Sequence, residues 1–339
     1  MNASAVLHRD RLPKNHGDAL WLRCQRCTGP LDLPIRGSDA ESDRRECPRC
    51  KWVMESADGI WRALCPGRAR EIDATSSAYE AIREAEGRWS HDAEFYRNLP
   101  WRDTTGRFQE QWKIRAASFE FLVGRLLPPC SRMCGSDRLR VLDLGAGNCW
   151  MSYRLALYGH DPVAVDIGVG RKDGLGSAEF YDLGAGGIFP RFQAEMDWLP
   201  FADGQFDLAI YNASFHYSRD YGAALMEALR VLRPNGAILI VDSPCYPTDA
   251  DGEAMKHEKK AEFQRRFAAN SEGMGGQEYL TPRRLASLER MGLAWRSYSP
   301  WYGWRWALRP VIARLKGRRK PSQFHIYMGT TAQYVTEAE

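Results

Sequence analysis

Apolar positions in the second half of the chain fall in short runs, each ended by a polar residue or a glycine. Val141, Leu142 and Leu144 read as a buried strand interrupted by Asp143. Val163-Ala164-Val165 ends in Asp166, a further strand finishes near Glu195, and Leu208 to Tyr211 ends at Asn212. Ala237 to Val241 is a fifth strand. Helical spacing separates them over Asn148–Tyr158 and Tyr221–Leu232, the latter stopped by Pro234 and Gly236. The alternation predicts an α/β fold, a Rossmann-like sheet with helices on both faces.

Gly145-Ala146-Gly147 joins the first strand to its helix in a turn where the chain can approach a ligand, since neither glycine carries a Cβ. Asp166, about 20 residues further on, stands where an acid hydrogen-bonds a ribose diol. A dinucleotide would need a third small residue for its pyrophosphate, and Trp150 occupies that place. S-adenosylmethionine has no phosphate, and an acid such as Asp143 suits its cationic methionyl end. Glu195 is placed to accept a hydrogen bond from the adenine amino group. The residues favour the sulfonium nucleoside.

Upstream, Cys24-Gln-Arg-Cys27 and Cys47-Pro-Arg-Cys50 lie 19 residues apart, a spacing that closes a tetrahedron around Zn²⁺. Residues 1–65 are expected to form this zinc ribbon, a closed structural site that folds a small module and leaves donor affinity nearly untouched when lost. Residues 66–137 read as a linker to about 75 and a helical cap over the cofactor cleft, with Tyr79, Trp89, Tyr96 and Trp101 as candidate lid or pocket aromatics. Within the cap the pattern breaks at Asn98-Leu99-Pro100, and a loop runs from Pro128-Pro129 to Asp137. Residues 138–339 form the main domain. Gly168 to Gly187 and Asn270 to Gln277 read as flexible, a charged helix spans Glu253–Ala269, Thr281 caps a helix to Met291, and Gln323–Met328 reads as an edge or antiparallel strand.

A net charge of +4 with 27% charged residues excludes a strongly basic nucleic-acid binder. No run reaches the length of a membrane span, the N-terminus lacks a signal-peptide core, and nine cysteines with two CxxC pairs suit a reducing compartment. A cytoplasmic protein is expected. Trp301 to Lys320 nevertheless carries seven cations, no acid and four leading aromatics. It fits a surface helix walling the substrate pocket, a grip on single-stranded RNA, or an anionic membrane surface.

LDLGAGN (Leu142–Asn148), AVD (Ala164–Asp166), LPFADGQFDL (Leu199–Leu208) and ALRVLRPNG (Ala228–Gly236) together resemble the class I S-adenosylmethionine-dependent methyltransferases, in particular the type 11-like branch that includes quinone-biosynthesis methyltransferases. The resemblance implies a seven-stranded, mostly parallel sheet whose final strand is antiparallel. It implies that Asp143, Gly145, Ala146 and Gly147 face the methionyl end, Asp166 and Ile167 the ribose, Glu195 and Met196 adenine, and Asn212 the methyl donor. Cys149 departs from the family, which often has glycine or alanine there. The ribbon joined to such a domain is also similar to zinc-containing methyltransferases that modify guanine in ribosomal RNA.

Methyl transfer needs an aligned acceptor and, where the acceptor carries a proton, a base. His216 and its neighbour Tyr217, in the loop after the fourth strand, are the candidates. Cys245 lacks the context of a nucleophilic cysteine. The expected acceptor is a small or lipid-like molecule. The alternatives are RNA held by the ribbon and the basic segment, and a non-catalytic partner protein that keeps the fold and cofactor.

Overall fold

The structure is a computed structural model that describes residues 19–32, 34–35, 43–184, 188–267, 276–289 and 291–331. The expectations for the extreme N-terminus, for 185–187 and for most of Asn270–Gln277 lie outside these residues.

β1 (Arg44–Glu46) leads into the second cysteine knuckle, after which come β2 (Val53–Ala57) and β3 (Ile60–Arg62), then α1 (Ala69–Glu86), α2 (Ala93–Asn98), α3 (Gln109–Phe121) and α4 (Leu127–Cys134). The main domain runs β4 (Arg140–Leu144), α5 (Trp150–Leu157), β5 (Asp161–Asp166), β6 (Arg191–Gln193), β7 (Phe206–Asn212), α6 (Tyr221–Val231) and β8 (Leu232–Val241). It closes with β9 (Pro244–Cys245), α7 (Asp249–Phe267), α8 (Pro282–Glu289), β10 (Leu293–Tyr298), α9 (Trp304–Ala307), α10 (Arg309–Leu315), β11 (Gln323–Phe324) and β12 (Ile326–Thr331).

One sheet has the order β1-β2-β3-β6-β5-β4-β7-β8-β12-β10. Strands β6, β5, β4, β7 and β8 are parallel, and β12 runs antiparallel between β8 and β10. These are the seven strands the sequence implies. The ribbon hairpin extends them, because β3 pairs in parallel with β6 through Trp61↔Phe192 and Arg62↔Gln193. Every residue of β4 is buried, as expected of a central strand covered on both faces. Its neighbours β5 and β7 continue the chain in opposite directions across the sheet, so the crevice for a ligand opens at the carboxyl end of β4.

Two cores flank the sheet. One unites Leu22, Cys24, Cys47 and Met54 of the ribbon with Leu142, Phe192, Phe201 and the apolar face of α6. The other packs Trp112, Phe119, Leu126 and Trp150 against Val141 and Leu208.

Several local expectations change. The presumed linker is helical from Ala69 onward. The presumed loop at Pro128-Pro129 is α4, preceded by a π-turn over Leu122–Leu126 in which Leu127 N–H donates to the Leu122 carbonyl. That turn places the prolines at the start of α4, where a missing N–H costs little. Gly168 to Phe180 is closely folded: a Cβ on Gly174 would lie 2.7 Å from the Gly170 nitrogen, so backbone contact demands the glycine. Strand β12 is antiparallel, one of the two expectations for this stretch, but it is internal and not an edge, because β10 covers it. Among the described residues no helix is long and apolar enough to cross a membrane.

Candidate functional site

The carboxyl ends of β4, β5 and β7 open into a cleft roofed by α1. Gly145, Ala146 and Gly147 form its floor. Gly145 has φ +72°, and a Cβ there would stand 2.3 Å from Cβ of Ser214, so no other residue fits. Cys149 takes the left-handed φ of 62° that the family's small residue suits. The crowding expected of a larger residue there is met as backbone strain of about 1 kcal/mol.

Asp166 closes β5 and lines the cleft. Its Oδ2 accepts from the Gly147 N–H at 2.8 Å and its Oδ1 from the Gly168 N–H at 2.7 Å. Burial pushes this carboxyl up to about 6 against the pull of those two donors. Asp143 does not line the cleft. It sits fully buried beneath the turn, where Oδ2 accepts from Ser152 Oγ at 2.7 Å, and burial raises it to about 7. The period of two explains this, since Asp143 shares the face of Val141, under α5.

Glu195 and Met196 form the adjoining wall with Ile167. Arg68 pairs with Glu195 Oε1 at 2.8 Å, while the buried Oε2 has no hydrogen-bond partner among the described residues. Burial raises its pKa. Asn212 lines the cleft at the end of β7, and its buried Oδ1 is likewise unpartnered. Buried acceptors left without donors cost stability, so they point to a ligand that supplies N–H or O–H groups.

The loop after β7 divides the two candidates for acid–base work. Tyr217 faces the cleft, edge-on to Tyr79 at 6.1 Å. His216 turns away, 3.3 Å from Ser243 Oγ, and does not line the cleft. Burial, with Lys259 and Arg115 nearby, lowers it to about 3, which keeps it neutral near pH 7.

The sequence reading placed a helical cap over the cleft and offered Tyr79 as a pocket aromatic, but it did not name the other residues of α1 that line it. Ile72, Thr75, Ser76, Tyr79, Glu80 and Arg83 of α1 recur at helical spacing on the cleft. Glu80 accepts the Gly170 N–H at 2.8 Å and Arg83 pairs with Asp173, which ties α1 to the loop after β5. Arg115 of α3 also reaches the cleft, its guanidinium 4.6 Å from the Trp112 ring, and burial lowers its pKa. The expected helix began at Ser76, so the first turns of α1, with Ile72 and Thr75, fell in the presumed linker.

The sulfurs of Cys24, Cys27, Cys47 and Cys50 all lie within 4.8 Å of one another, with closest pairs at 3.5 Å. Tetrahedral Zn–S bonds of about 2.3 Å put sulfurs about 3.8 Å apart, so the set fits such an ion. The knuckle docks on the segment that follows Glu195: Arg23 N–H donates to the Pro200 carbonyl at 2.8 Å, and the Arg23 side chain pairs with Glu227 at 3.0 Å. The aromatics of 301–306 do not wall the cleft, contrary to expectation.

The methyltransferase domain family matches residues 142–240, the span from β4 to β8 that builds the floor and walls. A demethylmenaquinone methyltransferase of Mycobacterium bovis is 30% identical over 186 residues, covering 54% of this chain and 76% of that protein. The chain belongs to the class I S-adenosylmethionine-dependent methyltransferases. A malonyl-[acyl-carrier protein] O-methyltransferase of Legionella pneumophila is 33% identical over 100 residues, 30% of this chain and 34% of the relative. The chain spans only 28% to 41% of the length of the first curated relatives it matches. A Burkholderia thailandensis 1,6-didemethyltoxoflavin-N1-methyltransferase structure is similar at 16% identity and TM-score 0.45, over 86% of this chain and 99% of that one.

Proposed function

We propose that the chain transfers a methyl group from S-adenosylmethionine, bound in the cleft, to a small or lipid-like acceptor. The observation that carries this reading is the pair of buried, unpartnered acceptors, Glu195 Oε2 and Asn212 Oδ1, on a cleft whose floor is the Gly145–Gly147 turn. Asp166 would hold the ribose hydroxyls and Glu195 the adenine amino group. Asn212 would face the methionyl ammonium. Arg115 is the cation offered to the methionyl carboxylate, because Arg83 is already neutralised by Asp173. Asp143 would act from beneath the turn by fixing Ser152 and the start of α5.

The bound donor supplies an electrophilic methyl whose sulfonium charge is lost on transfer. The chain's part is alignment and exclusion of water. Tyr79 and Tyr217 both line the cleft and meet edge to face at 6.1 Å. Neutral, sequestered His216 is no strong base toward the cleft, so an acceptor whose proton is acidic or absent suits the site. We also infer a structural Zn²⁺ at the four cysteines, whose thiolates suit a reducing, cytoplasmic compartment.

Titration calorimetry with S-adenosylmethionine tests the cleft: Glu195→Gln and Asp166→Ala should each weaken binding at least tenfold, and unchanged affinity would refute the assignment. Radiolabelled donor incubated with fractionated extract tests the acceptor. Label in the organic phase or in small molecules is expected. Label in RNA overturns the acceptor class, and donor binding without any transfer favours a non-catalytic partner protein.

A further inference from the structure

We propose that the outer face of the α9–α10 segment docks on an anionic lipid bilayer. Six large apolar side chains stand in solvent there: Trp301, Trp304, Leu308, Val311, Ile312 and Leu315, exposed by 61, 76, 51, 54, 44 and 82%. Residues 304, 308, 311 and 315 follow one another at three- and four-residue steps, so the exposed stripe is continuous from turn to turn. A patch of this kind is uncommon on a protein surface that meets only water.

The inner face is occupied differently. The Tyr302 hydroxyl lies 2.9 Å from Ser118 Oγ, and Trp306 stacks on Phe324 at 5.3 Å with an interplanar angle of 24°. The segment is therefore clamped to the methyltransferase domain on one side, and its apolar stripe is turned outward by that clamp. Around the stripe, Arg305, Arg314, Lys316, Arg318 and Lys320 are exposed, and 301–320 contains no acid. Exposed tryptophans, aliphatic side chains and a surround of lysine and arginine match the boundary between lipid headgroups and acyl chains.

Two other occupants fit less well. Single-stranded RNA rewards flat rings, but four of the six apolar side chains are aliphatic, and Trp301 and Trp304 meet edge to face at 84° instead of presenting parallel platforms. A second copy of the chain would bring two sets of these exposed cations together. An anionic bilayer satisfies the apolar stripe and the charge at once.

The test is co-sedimentation of the full chain with vesicles of phosphatidylcholine alone, or with about 30% phosphatidylserine. At least tenfold stronger binding to the anionic vesicles is expected. A double variant, Trp304→Ser with Leu315→Ser, should lose that binding by at least tenfold. Lys316→Glu with Arg318→Glu should abolish the preference for phosphatidylserine. Donor binding by calorimetry, unchanged in all variants, shows that the cleft is intact, so failure here is separable from failure of the proposed chemistry. Absence of binding to either vesicle overturns the proposal. So does tight binding to single-stranded RNA that the serine variants weaken, or a dimer in sedimentation equilibrium that they dissociate.

Discussion

The two edges of the sheet carry arginines in opposite circumstances. At the ribbon edge, Arg23 pairs with Glu227, Arg68 with Glu195, and Arg62 donates to Gln193 Oε1 at 3.2 Å. At the other edge, the cations of α9 and α10 stand exposed around an apolar stripe. Composition scores both stretches as basic and aromatic. The ribbon's cations face enclosed carboxylates and its apolar residues have a core to join, with Leu22 and Met54 fully enclosed, whereas the Arg319–Glu258 pair of the other edge lies at the surface. A basic stretch therefore becomes an internal strut or an outward surface according to what the fold sets opposite it.

The largest expected effect breaks the comparison at the ribbon. Cys24→Ser, or chelation, removes a metal-linked contribution of about 10 kcal/mol to local folding. The sequence reading expected donor affinity to survive this. The structure changes the expectation, because β3 leads directly through Arg68 into α1, the roof of the cleft. Calorimetry should show donor affinity falling at least tenfold while vesicle binding persists; an unaltered affinity would sink the coupling.

Next in size is a matched pair of ion-pair deletions read by urea unfolding. Glu227→Ala leaves Arg23 and Arg230, both largely enclosed, without their shared carboxylate, a loss of about 2–3 kcal/mol. Glu258→Ala, whose partner Arg319 lies 2.7 Å away on the exposed edge, should change stability by less than about 0.5 kcal/mol. Equal losses would erase the distinction between the edges.

Between the edges lie the acids of the floor. Burial raises Asp143 to about 7 and Asp166 to about 6, above the ordinary carboxylate value. In the window from about pH 4 to 7 the folded state thus holds more protons than the unfolded state, and these groups make stability fall as pH rises, by at most about 1.4 kcal/mol per pH unit each. Asp143→Asn should flatten that fall between pH 5 and 7.5 in urea midpoints; an unchanged slope would show that the carboxyl is not buried in solution. The smallest effect belongs to the outer stripe. Trp304→Ser with Leu315→Ser should leave thermal stability within about 0.5 kcal/mol, since both side chains are mostly exposed.

The order of strands, the glycine turn, the acid that ends β5 and the four sulfurs were legible in the chain because each rests on spacing within one element or one turn. Buried parallel strands demand apolar runs, and a tight metal knuckle demands cysteines three residues apart. Asp143 was misplaced by attention to its position at a strand end rather than to the side it takes in the pleat. His216 and Tyr217 are neighbours, and only the short turn at Phe215–Tyr217 sends one toward Ser243 and the other into the cleft. No local rule distinguishes them.

From its amino acids alone this protein declares a parallel sheet around Leu139–Ser152, a place for a sulfonium nucleoside and a four-sulfur knuckle. Tertiary structure decided that the knuckle's hairpin becomes part of that same sheet, that the polar stripe of α1 faces inward as a roof, and that the basic aromatic segment turns its apolar stripe outward. The physical reason is the same in each case. Local pattern reports what a residue can bury or bond, while its actual partner is set by chain segments tens to hundreds of residues away, as Arg23 and Glu227 meet across 204 positions.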